Sequence, residues 1–90
     1  MTGSPGPDAM TSTSVTMYTT TWCGFCRRLK MQLQHEGISF DEIDIERDDS
    51  AAEFVMSVNN GNQTVPTLVF SDGTALTNPS VAEVKAQLAA

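Results

Sequence analysis

The chain has 90 residues, a formal net charge of −6 and 40% hydrophobic residues. That length supports one domain with a modest core, and that charge argues against a nucleic-acid backbone as partner. No apolar run is long enough to span a membrane and no apolar stretch follows the N-terminus, so neither a membrane anchor nor a secretory signal is expected.

Residues 1–14 are rich in Gly, Pro, Ser and Thr and nearly lack apolar side chains. They are expected to form a disordered tail, either an expression remnant or a natural extension, with Met10 as an alternative start. Residues 15–90 are then the folded domain. Residues 15–21 (VTMYTTT) are β-branched and aromatic, which predicts a first strand. A helix is predicted over 24–35, with Cys26, Leu29 and Leu33 as its apolar stripe and Gly37 as its stop. Phe40, Ile43 and Ile45 alternate with acidic residues, which predicts a second strand within 38–45. Asp48, Asp49 and Ser50 offer caps for a second helix over 50–58, whose apolar face is Phe54, Val55 and Val58. A third strand over 67–70 turns at Ser71-Asp72-Gly73 into a short fourth strand at 74–76. Asn78, with Pro79 after it, is expected to cap a last helix whose buried face is Val81, Val84 and Leu88. The order βαβαββα implies an α/β fold: a four-stranded mixed sheet flanked by helices, with a parallel crossover between the first two strands.

Both cysteines lie in Trp22-Cys23-Gly24-Phe25-Cys26, between the first strand and the first helix. A helix N-terminus offers free N–H groups and the positive end of the dipole, which favour a thiolate there. Cys23 is thus placed to attack and Cys26, one turn deeper and on the core side, to resolve. Half of a zinc site would need two more ligands, and the chain has one histidine. A structural disulfide across two residues would constrain little chain. Redox chemistry is the favoured reading of this C-x-x-C, no metal site is expected, and two thiols in such a motif fit a reducing cytoplasm. Three of the five basic residues, Arg27, Arg28 and Lys30, follow Cys26, whereas eight of the eleven acidic ones lie between Glu36 and Glu53. The basic cluster is either a solvated helix face or a positive field beside Cys23. His35, near the helix end, is expected to be solvated and not catalytic.

Together with Thr64-Val65-Pro66, this motif and element order resemble a glutaredoxin of the thioredoxin superfamily over nearly the whole chain outside the tail. The resemblance implies a thioredoxin/glutaredoxin-like fold and a cis Val65–Pro66 bond. It also implies a proline facing the nucleophile and a preceding backbone that pairs with the bound thiol compound. Glutathione-using members usually carry a lysine where this chain has Thr20 and a proline where it has Gly24. They follow the last strand with a Gly-Gly pair and acidic residues, where this chain has Leu76-Thr77-Asn78-Pro79-Ser80. The charges that clamp the two ends of glutathione are therefore missing.

These stretches, with Ala51-Ala52-Glu53-Phe54-Val55, resemble the mycoredoxins, relatives that use the sugar-bearing thiol mycothiol; the usual tyrosine before the second cysteine is Phe25 here. The resemblance implies a cytoplasmic, monomeric enzyme that reduces protein–mycothiol mixed disulfides. Mycothiol is then the co-substrate, with no bound cofactor and no nucleic-acid or membrane partner. Cys23 and Cys26 would be catalytic. Trp22, Gly24, Phe25, Thr64, Val65, Pro66, Thr77 and Asn78 would bind the thiol, with Thr20 and Ser80 as neutral hydrogen-bonding neighbours. The competing expectations are a dithiol donor to ribonucleotide reductase fed by thioredoxin reductase, and an iron–sulfur cluster carrier.

Overall fold

A computed structural model describes residues 15–89; the expected tail lies outside the described residues. Strand β1 (Val15–Thr19) leads to helix α1 (Gly24–His35), β2 (Asp41–Asp44) and α2 (Asp49–Val58). A hairpin of β3 (Thr67–Phe70) and β4 (Ala75–Thr77) follows, and α3 (Val81–Ala89) ends the fold. The sheet order is β2-β1-β3-β4. β1 pairs parallel with β2, Tyr18 opposite Ile43, and antiparallel with β3, Met17 opposite Leu68. β3 and β4 pair antiparallel with Leu68 opposite Leu76. This is the mixed α/β sheet that the order of elements predicts.

Strand alternation divides the core. Val15 and Met17 of β1 face one layer with Leu29 and Leu33 of α1 and Val84 of α3. Tyr18 and Ile43 face the other with Ala51 and Val55 of α2, where the Tyr18 and Phe54 rings lie 5.4 Å apart. Two-residue periodicity on β1 thus meets helical stripes on both sides. Cys23 and Cys26 belong to the first layer, so packing holds the redox motif directly on the sheet.

β2 ends one residue before 45, α2 starts one residue before 50 and β4 lies one residue later than 74–76; the three larger differences each have a hydrogen-bonding reason. β1 stops at Thr19 rather than 21, because the Thr20 carbonyl accepts the Cys23 N–H (3.4 Å) and the chain turns. β2 starts at Asp41 rather than 38, because α1 ends in a Schellman arrangement. Gly37 N–H donates to the Gln34 carbonyl and Ile38 N–H to that of Leu33, with Gly37 at φ +73. The last helix is not capped by Asn78. Ser80 Oγ accepts the Glu83 N–H (3.1 Å) and Glu83 Oε1 accepts the Ser80 N–H (2.8 Å), a capping box that starts α3 at Val81. Asn78 sits instead at φ +46 and donates its N–H to the Pro66 carbonyl at 2.7 Å. Among the described residues no helix is long and apolar enough to cross a membrane.

Candidate active site

Cys23 is the N-cap of α1. Its φ and ψ, −81 and 111, are extended, and its Sγ accepts the Cys26 backbone N–H at 3.1 Å. A serine or aspartate commonly fills such a position, satisfying one of the orphan donors of the first turn. Here a sulfur does so, and the helix dipole points its positive end at that atom. The Cys23 thiol donates in turn toward the Val65 carbonyl, 3.8 Å away. Sγ therefore touches both the helix start and the loop before β3.

Cys23 opens onto a groove of about 380 Å³ lined by Trp22, Gly24, Phe25, Gln63, Thr64 and Val65. No lining residue is charged. Trp22 and Phe25 are 70% and 63% exposed and stand as aromatic walls. Trp22 Nε1–H donates to Glu46 Oε2 at 3.1 Å. The opposite wall is held from behind. Asn59 Nδ2 donates to the Val55 carbonyl (2.8 Å) and to Thr67 Oγ1 (3.1 Å), and Thr67 Oγ1 donates to the Thr64 carbonyl (2.8 Å). Thr77 Oγ1 donates to Asn59 Oδ1 at 2.6 Å. This chain of bonds joins the end of α2, β3 and β4 to the loop that carries Thr64, Val65 and Pro66. The Val65–Pro66 peptide is cis.

Cys26 lies one turn deeper. The exposures of the two cysteines, 5% for Cys23 and 2% for Cys26, are closer than an exposed attacker and a buried resolver would require. What separates them is their partners. Burial pushes the Cys26 thiol from its ordinary value of 9.0 up to about 12, with the hydrogen bond to Cys23 adding to it. A Thr20 backbone hydrogen bond pulls the other way, and the charges of Cys23 and Glu42 raise it further. Cys26 stays protonated at neutral pH.

The residues expected to bind the thiol do not all meet. Trp22, Gly24, Phe25, Thr64 and Val65 line the groove with Cys23. Pro66 is fully buried behind it. The Thr77 hydroxyl is taken up by Asn59, and Asn78 lines a neighbouring recess with Phe25, Arg28 and Ser80. Thr20 is 7% exposed, its Oγ1 has no hydrogen-bond partner, and it borders a different recess with Cys26, Arg27 and Glu42. Its hydroxyl is sealed off from the Cys23 groove, which corrects the expectation of a neutral clamp there.

The basic side chains after Cys26 do not line the groove. Lys30 pairs with Glu42 at 3.0 Å, and Arg27 and Arg28 border the two other recesses. His35 is exposed at the end of α1. Among the described residues no group of three or more His, Cys, Asp or Glu is gathered where a metal ion could be held. Gln63, Asn59 and Glu46 were not legible as site residues. Asn59 reads only as a helix stop, and nothing local in sequence ties Glu46 to Trp22.

Comparison with known proteins agrees with this geometry. The glutaredoxin family model matches residues 15–75. A Mycobacterium tuberculosis (H37Rv) protein named as a glutaredoxin is 58% identical over 88% of this chain and 94% of its own. Mycoredoxin 1 of Corynebacterium glutamicum is 49% identical over 86% of this chain and 95% of its own. The crystal structure of a glutaredoxin from Archaeoglobus fulgidus superposes with a TM-score of 0.69 at 27% identity, covering 84% of this chain and 86% of that one. With a Cys-x-x-Cys at a helix start, a groove beside its first sulfur and a family match over the domain, the chain belongs to the glutaredoxins, thiol–disulfide oxidoreductases of the thioredoxin superfamily.

Proposed function

We propose that this protein is a mycoredoxin, which removes mycothiol from protein–mycothiol mixed disulfides with mycothiol as electron donor. The observation that carries the reading is the groove beside Cys23: its lining holds no charge to clamp the carboxylates or ammonium of glutathione. Charge-assisted bonds are about twice as strong as neutral ones, so a glutathione site without them is a poor one. Mycothiol has an acetylated cysteine and two sugar rings and no free amino group, which suits aromatic walls and neutral edges. The 49% identity to Mycoredoxin 1 supports the same reading.

Cys23 thiolate attacks the mycothiol sulfur of the mixed disulfide. The Cys23–mycothiol bond forms, the old disulfide breaks, and the protein thiolate leaves and takes a proton from solvent. A second mycothiol thiolate then attacks the bound mycothiol sulfur, forming mycothiol disulfide and freeing Cys23. In the alternative exit Cys26 loses its proton and attacks Cys23, releasing mycothiol and closing a Cys23–Cys26 disulfide, which mycothiol then reduces. Trp22, Phe25, Thr64 and Val65 hold the thiol compound, and Pro66, Thr77 and Asn78 support that surface from behind and beside it. The enzyme acts as a cytoplasmic monomer on S-mycothiolated proteins.

The test is kcat/KM for a peptide mixed disulfide of mycothiol and one of glutathione, each with its own thiol as reductant. Mycothiol should be preferred clearly. Equal efficiency, or preference for glutathione, would leave a general glutaredoxin.

A further inference from the structure

We propose that Glu46 is a specificity-determining positioning residue: it fixes Trp22 as a wall of the Cys23 groove and sets a negative charge at the rim that disfavours anionic thiol compounds. This rests on the groove being the thiol-binding surface, but not on the thiol being mycothiol.

Trp22 is 70% exposed, so core packing does not immobilise it. Its indole N–H instead donates to Glu46 Oε2 at 3.1 Å. Glu46 has its own backbone anchored. Its N–H donates to Asp44 Oδ1 (2.9 Å), the neighbouring Ile45 N–H donates to the Thr19 carbonyl (3.0 Å), and the Arg47 N–H donates to the Asp44 carbonyl (3.1 Å). A tight turn off β2 thus delivers a carboxylate to the outer edge of a tryptophan that borders Cys23. Nearby cationic charge is directed elsewhere: Arg47 Nε is 3.7 Å from Asp44 Oδ2. The groove lining is neutral, so the Glu46 charge acts on whatever approaches Cys23 with no charged lining residue to offset it. Its field is screened over about 8 Å at physiological salt, a distance comparable to the width of a tryptophan side chain.

The experiment uses three small disulfides of similar size: cystamine (cationic), bis(2-hydroxyethyl) disulfide (neutral) and 3,3′-dithiodipropionate (anionic). In each, Cys23 thiolate attacks one sulfur, a Cys23–S–R bond forms, and the departing RS⁻ takes a proton from solvent. The full chain, Glu46→Gln and Glu46→Ala are compared by mass spectrometry, counting as modification of Cys23 both the Cys23–S–R adduct and the Cys23–Cys26 disulfide that Cys26 forms from it with release of RS⁻. Each rate is divided by the rate of the same disulfide with dithiothreitol to remove intrinsic leaving-group differences. The wild-type cation-to-anion rate ratio should fall roughly fivefold in Glu46→Gln, the size expected of an exposed charge. The difference should vanish at about 1 M salt, where the Debye length is about 3 Å. Trp22 is the single tryptophan of the chain. Its fluorescence anisotropy should hold in Glu46→Gln, whose amide oxygen still accepts the indole N–H, and drop in Glu46→Ala. A charge ratio unchanged in Glu46→Gln, or an anisotropy unchanged in Glu46→Ala, overturns the proposal. Failure of all three disulfides to modify Cys23 overturns instead the groove reading beneath it.

Discussion

The two sulfurs stand one helical turn apart in unlike surroundings. On the Cys23 side the polar groups are matched. Sγ takes the Cys26 N–H and gives to Val65, and Asn59 gathers Thr67, Thr77 and the end of α2 behind the loop that carries Val65. On the Cys26 side the match is incomplete: the thiol is desolvated and the neighbouring Thr20 hydroxyl is buried without a partner. An unmade buried bond costs about 1–3 kcal/mol, whereas a made one contributes about 1 kcal/mol. The site is therefore organised around the first sulfur, and the second is kept in a protonated reserve.

The harshest break of that contrast is at the sulfurs. Cys23→Ser should lower reductase activity to background, while Cys26→Ser should keep turnover on mycothiol mixed disulfides at the same order of magnitude. Equal loss in both would make the dithiol route obligatory and the asymmetry unimportant.

The pH dependence sharpens it. Burial holds the Cys26 thiol far above the neutral range, so its thiolate is scarce at pH 7. Iodoacetamide should label Cys23 first, and Cys26 labelling of the Cys23→Ser variant should rise steeply toward alkaline pH. Because the folded value lies above the unfolded one, the contribution of Cys26 to stability is full below its ordinary value of 9.0 and is lost as pH rises toward about 12. Cys26→Ala should flatten that alkaline fall in Tm. Labelling of both thiols at similar rates at pH 7 would contradict the reserve.

The smallest expected effects have opposite signs on the two sides. Asn59→Ala removes the hub behind the Val65 loop and should cost about 1.5 kcal/mol, lowering Tm by roughly 6–12 °C. Thr20→Val keeps the branched shape, removes the orphan hydroxyl, and should raise stability by about 1 kcal/mol, or roughly 4–8 °C. Thermal melts decide both. A destabilised Thr20→Val would mean that the hydroxyl has a partner and that the Cys26 side is not the deficient one.

Much of this architecture could be read from residue pattern alone. Spacing of Cys26, Leu29 and Leu33 placed α1, because burial of one helix face imposes a period, and the β-branched and aromatic composition of 15–21 placed β1. Strand ends were misplaced where a backbone N–H was claimed by a turn or helix stop, as at Ile38. The start of α3 was misplaced because Asn78 and Ser80 are both good caps by type, and only the reciprocal partner Glu83 distinguishes them. Site contacts that join distant residues, such as Trp22 with Glu46 or Asn59 with Thr77, leave no periodic trace, since they depend on how strands and loops close in space.

The strand order also decides how molecules meet one another. β2 and β4 are the outer strands of the sheet, and outer strands present unpaired backbone groups that can recruit a second chain. β4 is only three residues long, a small template. β2 has the sequence Asp41-Glu42-Ile43-Asp44, acidic at three of four positions, with Glu42 paired to Lys30 and Asp44 to Arg47. The net charge of −6 on the whole chain adds repulsion between copies. The colloidal behaviour of the protein should therefore depend on dissolved salt, which weakens the repulsion over distances beyond about 10 Å at 0.1 M.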